Sequence, residues 1–228
     1  MKYAISLIAG LIVGAALVVA FLYYNPFAGR HTVSPLAVSG QELIDLTFSA
    51  VPEEAIAFTN NGESRVAPHP AKMAELWEPA IAKTTILVTR LSNVRGPFAG
   101  IGVKFSSASE QTRLLNSEAL VDSAWHVFLP DSGTFFVSQT ENLWSYLRNI
   151  VIPARWNSAD SWRGSWFGIM TVGPNALGTG TVAGGSGRYA DIDTEAVESW
   201  SAKAYSALRG PVAMTGSLTV AVSPYVVD

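Results

Sequence analysis

Four tryptophans and three arginines crowd one stretch of this chain: Trp144, Trp156, Trp162 and Trp166 lie among Arg148, Arg155 and Arg163. A guanidinium held over an indole face is attracted by the ring quadrupole, and Trp and Arg are enriched at binding hot spots. The stretch therefore reads as a pocket lined for cation–π contact or as a partner surface. The competing reading is a core helix followed by a Trp-rich loop, because Trp buries a large area wherever it lies. Trp144, Arg148, Arg155, Trp156, Trp162 and Arg163 are the candidate ligand- or partner-binding residues. His126, flanked by Trp125, joins them as a potential base or hydrogen-bond donor, although a lone histidine is more often a satisfied structural residue.

Other chemistries find little support. The chain has no cysteine, which excludes disulfides, thiolate catalysis and Cys-ligated metals. His31, His69 and His126 are far apart and lack metal-ligand spacing. Asp191, Asp193 and Glu195 alternate but do not form a calcium loop; a solvated acidic edge, which discourages edge pairing, explains them better. Ser186 sits in G-G-S-G rather than in a G-x-S-x-G elbow. No catalytic residue, metal or cofactor is assigned. A net charge of −3 without a basic block gives nucleic acid no electrostatic footprint.

The elements that must position these side chains are mostly strands. ELIDLTFSAV from Glu42 alternates as a strand, and AIAFTNNGESRV carries Asn61-Gly62 as a hairpin turn. PHPAKMAELWEPAIAK resembles a short helix closed by Pro79. Residues 84–94 and 100–109 read as strands. TRLLNSEALVDSAWHVFLP is helical at first and extended from Trp125 to Leu129, and TFFVSQ continues as a strand after the turn at 131–133. ENLWSYLRNIVIP (141–153) reads as a helix with Leu143, Leu147 and Ile150 on one face, stopped by Pro153. SWFGIMTVG, GTGTVAGG, GRYAD and VAMTGSLTVAV are strand-length segments with glycine punctuation. Periodicity leaves 194–208 open between helix and strand.

Ahead of this domain, assigned to residues 41–228, lie a Pro- and Gly-containing linker (25–40) and an uncharged apolar run at residues 4–24. A helix rises about 1.5 Å per residue, so about twenty such residues cross a hydrocarbon core about 30 Å thick. The run is too long for the apolar stretch of a typical signal peptide and ends in aromatic residues suited to the membrane interface. Residues 1–24 are therefore expected to be a retained single-pass anchor embedded in the lipid bilayer. Lys2 favours a cytoplasmic N-terminus, with the following domain on the periplasmic side of a cell membrane. Gly10 and Gly14 form a G-x-x-x-G stripe on which another membrane helix could pack.

Gly184-Gly185-Ser186-Gly187 lies between extended runs, where glycine's conformational freedom suits a tight reversal or bulge. No helix-opening phosphate frame accompanies it. Arg188-Tyr189 is expected to enter the next strand with one large side chain on each face. Together with Tyr189 and, further on, Met214, Thr215, Gly216 and Leu218, this pattern resembles the allene oxide cyclase and dirigent barrel superfamily over roughly the last fifty residues. The resemblance implies an eight-stranded antiparallel barrel with an apolar interior. Its members cyclise a lipid-derived epoxide or steer radical coupling of phenols, and none of their catalytic positions is matched here. The expected fold is thus mostly β: one N-terminal transmembrane helix plus an antiparallel β-barrel with a few short helices. The expected function is that of a non-catalytic accessory subunit beside an integral membrane protein partner. The alternative is a binder of a small apolar or aromatic ligand, or a cyclase- or isomerase-like enzyme using the barrel interior.

Overall fold

A computed structural model describes residues 2–24, 42–60, 63–66, 83–93 and 98–222. The linker, the Asn61-Gly62 turn and the helix expected around Pro79 lie outside them. The first described element is helix α1 (Lys2–Tyr24). Tyr3–Phe21 within it is long and apolar enough to cross a membrane.

The rest is a mostly antiparallel β structure. Its strands are β1 (Glu42–Ser49), β2 (Ala57–Asn60), β3 (Glu63–Val66), β4 (Thr84–Asn93), β5 (Phe98–Ala108), β6 (Leu120–Leu129) and β7 (Gly133–Asn142). These are followed by β8 (Ser161–Ile169), β9 (Thr171–Gly173), β10 (Gly180–Gly187), β11 (Asp193–Ser206) and β12 (Gly210–Val222). The sheet runs β1-β12-β11-β10-β7-β6-β5-β4-β2-β3. β1 also pairs with β4, through Leu46↔Asn93 and Thr47↔Ser92. β10 borders the first part of β11 and β8 borders its second part. Between β7 and β8 the chain forms α2 (Trp144–Tyr146), a π-helical turn (Leu147–Val151) and α3 (Ile152–Trp156).

Strand alternation sorts the side chains. On β6, Ser123, Trp125, Val127 and Leu129 are buried; on β7, so are Phe135, Val137, Gln139 and Glu141. Leu46, Phe48, Leu91, Val182, Tyr189, Leu218 and Val220 complete the main core with the apolar members of those two strands. Two glycines let its largest rings lie flat on the sheet. A Cβ at Gly216 would come within 2.1 Å of Phe48, and one at Gly102 within 2.7 Å of Trp125. The two rings meet edge to face, with centroids 4.8 Å apart. A second cluster joins Val51, Tyr146, Ile150, Met170, Ala202 and Met214, with Trp162, Trp166, Trp200 and Tyr205 packed on it. It seats the helical segment on β8, β11 and β12.

Four sequence expectations are corrected or resolved. β6 begins at Leu120 rather than Trp125, because the helical tendency before it is used up in a 3₁₀ turn at Leu114–Asn116. Pro153 does not stop the helix: it stands in the first turn of α3, where the missing N–H is tolerated. Arg188 to Asp191 form a turn rather than a strand. There Tyr189 folds inward against Phe135, while Arg188 stays at the surface 2.8 Å from Glu42. The open segment 194–208 is largely strand β11, whose pairing with β8, β10 and β12 outweighs its helical spacing. The glycine cluster does produce a bulge, with the β10–β7 register shifting between Gly184 and Ser186.

Candidate functional site

Three charged side chains meet on the buried face of the sheet, each from a different strand. On β5, Gly100, Gly102 and Lys104 point to the same side. On β7, alternation carries Glu141 inward behind Phe135, Val137 and Gln139, and β11 supplies Glu198. Lys104 Nζ lies 2.7 Å from Glu141 Oε1, and 2.7 and 2.8 Å from the two oxygens of Glu198. The ammonium also sits 5.5 Å from the Trp125 ring and 5.3 Å from the Trp200 ring. Glu198 is 0% exposed, Glu141 1% and Lys104 5%.

The surrounding donors converge on Glu198. The indole N–H of Trp125 donates to its Oε2 at 2.8 Å and that of Trp200 to its Oε1 at 2.6 Å; Gln139 Nε2 donates to Oε2 as well. Gln139 is itself fixed by Thr171, whose hydroxyl donates to Gln139 Oε1 at 2.8 Å and accepts the Glu198 backbone N–H at 2.8 Å. Glu141 is served differently. Its Oε1 accepts from Lys104, Ser123 and Gln139, and Oε2 has no hydrogen bond among the described residues.

The direction of each pKa shift follows from this geometry. Burial, then the neighbouring charge of Glu198, raises the Glu141 carboxyl above its ordinary range, and Lys104 offsets only part of that. Burial alone would lower Lys104, but Glu141 and Glu198 together outweigh it and leave the ammonium raised. An ammonium set between two carboxyl groups, one of them with a raised pKa, limits the uncompensated charge that the cluster buries.

A cavity of about 310 Å³ ends on this cluster. Lys104, Glu141 and Trp200 line it together with the apolar side chains of Phe48, Phe58, Leu87, Val121, Leu143, Tyr146 and Met214. Exposed Lys83 and Ala108 stand at its rim. Burial, then Tyr205, pushes the Tyr146 phenol well above its ordinary value, so it stays a neutral hydroxyl at any physiological pH. The site is a largely apolar pocket with one charged, buried end, and Thr85, Ser106 and Ser107 add hydroxyls to its lining.

None of the seven ligand or partner candidates proposed above from sequence lines this cavity. His126 is on the outer side of β6, its ring stacked on Phe136 of β7 at 4.5 Å; the alternation that takes Trp125 inward turns His126 out. Trp144 and Arg148 are half-buried on the helical segment, Trp162 packs on the second cluster, and Arg155, Trp156 and Arg163 are exposed. The structure brings two of them together through α1. The Arg148 guanidinium lies 5.2 Å from the Tyr23 ring, and Trp156 stacks on the same ring at 6.2 Å. Gly10 and Gly14 have open surroundings: beyond their own helix backbone and chain neighbours, no atom of the described residues lies within 4 Å of an added Cβ.

Lys104, Glu141 and Glu198 went unnoticed in the sequence. Glu141 was legible, since extending the β7 alternation by two residues puts it on the Phe135 face. Glu198 was hidden by the open assignment of its segment. Comparison with known proteins adds no assignment: no protein-family model, curated protein or solved structure matches the chain.

Proposed function

We propose that this chain is a membrane-anchored barrel that binds one small, mostly apolar molecule carrying a single hydrogen-bonding group. The observation that carries the reading is the apolar cavity ending on Glu141 and Lys104. Burying ionic groups costs several kcal/mol each, on the order of the net stability of a whole domain. Their presence at the end of a cavity is better explained by a ligand than by stability. The apolar walls would hold the body of the molecule. The Glu141 carboxyl, whose Oε2 has no hydrogen bond among the described residues, could donate to or accept from its polar group. No reaction is assigned.

The β1–β4 pairing supports closure of the sheet into the eight-stranded barrel that the allene oxide cyclase and dirigent resemblance implies, and eight strands leave room for one small ligand. The length and apolarity of α1 support the anchor. With Lys2 on the cytoplasmic side, the barrel stands outside the cytosol. A second reading, an accessory subunit of a larger membrane complex, draws on the open surroundings of Gly10 and Gly14.

The test is native mass spectrometry of the full chain, extracted in mild detergent. The wild type is expected to retain an apolar compound. Leu87→Trp, which fills the cavity, is expected to lose it while its thermal midpoint stays within a few degrees. Equal retention by both proteins would refute the cavity as the site. A stoichiometric membrane protein in place of any compound would establish the second reading instead.

A further inference from the structure

We propose that the helical segment from Trp144 to Trp156 docks on the phospholipid headgroup layer beside α1, an inference that rests on α1 being embedded in lipid. Tyr23 is the penultimate residue of the apolar helix, which places its ring at the level where a span leaves the hydrocarbon. That ring lies against both Arg148 and Trp156, so the helical segment lies at headgroup depth.

The chemistry of the segment fits that position. Trp156 is 73% exposed, and Arg155 beside it is exposed too. Among the described residues, Arg148, Arg155 and Arg163 have no carboxylate within 4.0 Å, as is also true of Arg90 and Arg113 but not of Arg188 and Arg209. No acidic residue occurs between Asn142 and Ser158. A forked guanidinium matches a phosphate in two parallel hydrogen bonds, and an indole at the interface buries its ring while its N–H stays wet. A headgroup layer satisfies both a largely exposed tryptophan and arginines without a carboxylate partner. The domain would then be held by two attachments, the span and this face.

The absence of native cysteine makes the test clean. Ser158→Cys and Asp131→Cys variants of the full chain are labelled with an environment-sensitive fluorophore and placed in nanodiscs containing brominated phosphatidylcholine and phosphatidylglycerol. Asp131 is exposed in the turn before β7, roughly 30 Å of strand from the helical segment. The label at 158 is expected to be quenched strongly and the label at 131 hardly at all. Adding Arg148→Gln, Arg155→Gln and Trp156→Ser should remove the quenching at 158. So should 1 M salt in part, by shortening the screening length from about 10 Å to about 3 Å. Equal, weak quenching at both sites in a chain whose α1 resists alkaline extraction would overturn the docking alone. A chain released by alkaline extraction would overturn the anchor and the docking with it.

Discussion

The two ends of β7 face the same interior and are built for opposite purposes. At one end Phe135 and Val137 close a dry core with Tyr189, Val127 and Val182; further along the same face, Gln139 and Glu141 join a charged cluster that opens on a cavity. Trp125 belongs to both, its ring against Phe48 and its indole N–H on Glu198. The contrast separates two kinds of burial. Apolar packing gains free energy from each group removed from water, whereas the ionic end is costly and is tolerated because every charge is matched. The dry end holds the fold, and the matched end can be spent on binding.

The sharpest way to break this contrast is to remove one group from each end. Phe135→Ala should cost about 3–5 kcal/mol through lost burial and a cavity. Lys104→Met should cost a similar ~3–5 kcal/mol, because it leaves two carboxyl groups facing each other without their cation. Urea unfolding across pH separates the two. The Lys104→Met deficit is expected to shrink as the pH falls and the cluster carries less unmatched negative charge, while the Phe135→Ala deficit stays flat. Parallel pH profiles would mean that the ionic cluster contributes nothing distinct.

The same contrast explains what could be read in advance. The dry end follows period-2 alternation and bulky residue types, so β1, β4, β5, β7 and β12 were visible in the sequence, as was the bulge at Gly184. The matched end depends on pairings that bring Lys104 to Glu198 across 94 positions, and no local pattern carries that information. Glu141 was obscured by the helix that follows it, and His126 and the Trp/Arg stretch attracted attention because their residue types are rare, not because of where they point. The π-helical turn before Pro153 was equally invisible, since its spacing imitates an ordinary helix.

A smaller effect tests how tightly the two ends are joined. Gly216→Ala places a methyl against the Phe48 ring, which also walls the cavity. Overpacking of this kind costs about 1–3 kcal/mol. The expected result is a lower urea midpoint together with weaker ligand retention in native mass spectra. Reduced stability with unchanged retention would show that Phe48 serves the dry core alone.

The mildest change isolates the proton on Glu141. Below about pH 4.5, its ordinary value, Glu141 is protonated in the folded and unfolded chain alike, and the stability it contributes is fully present. As the pH rises, the unfolded chain releases this proton while the folded one keeps it, because burial and Glu198 hold the carboxyl raised. The folded state then binds more protons, so stability declines with pH until the folded group also titrates. Lys104 is raised as well, but its contribution falls away only above pH 10.5, far from this window. Glu141→Gln keeps the shape and most of the hydrogen bonds while removing the titration. Chemical denaturation from pH 4 to 8 should therefore show a shallower decline for the variant than for the wild type. An unchanged slope would mean that Glu141 is already ionised in the folded protein, and that the cavity ends on a carboxylate that accepts hydrogen bonds but cannot donate one.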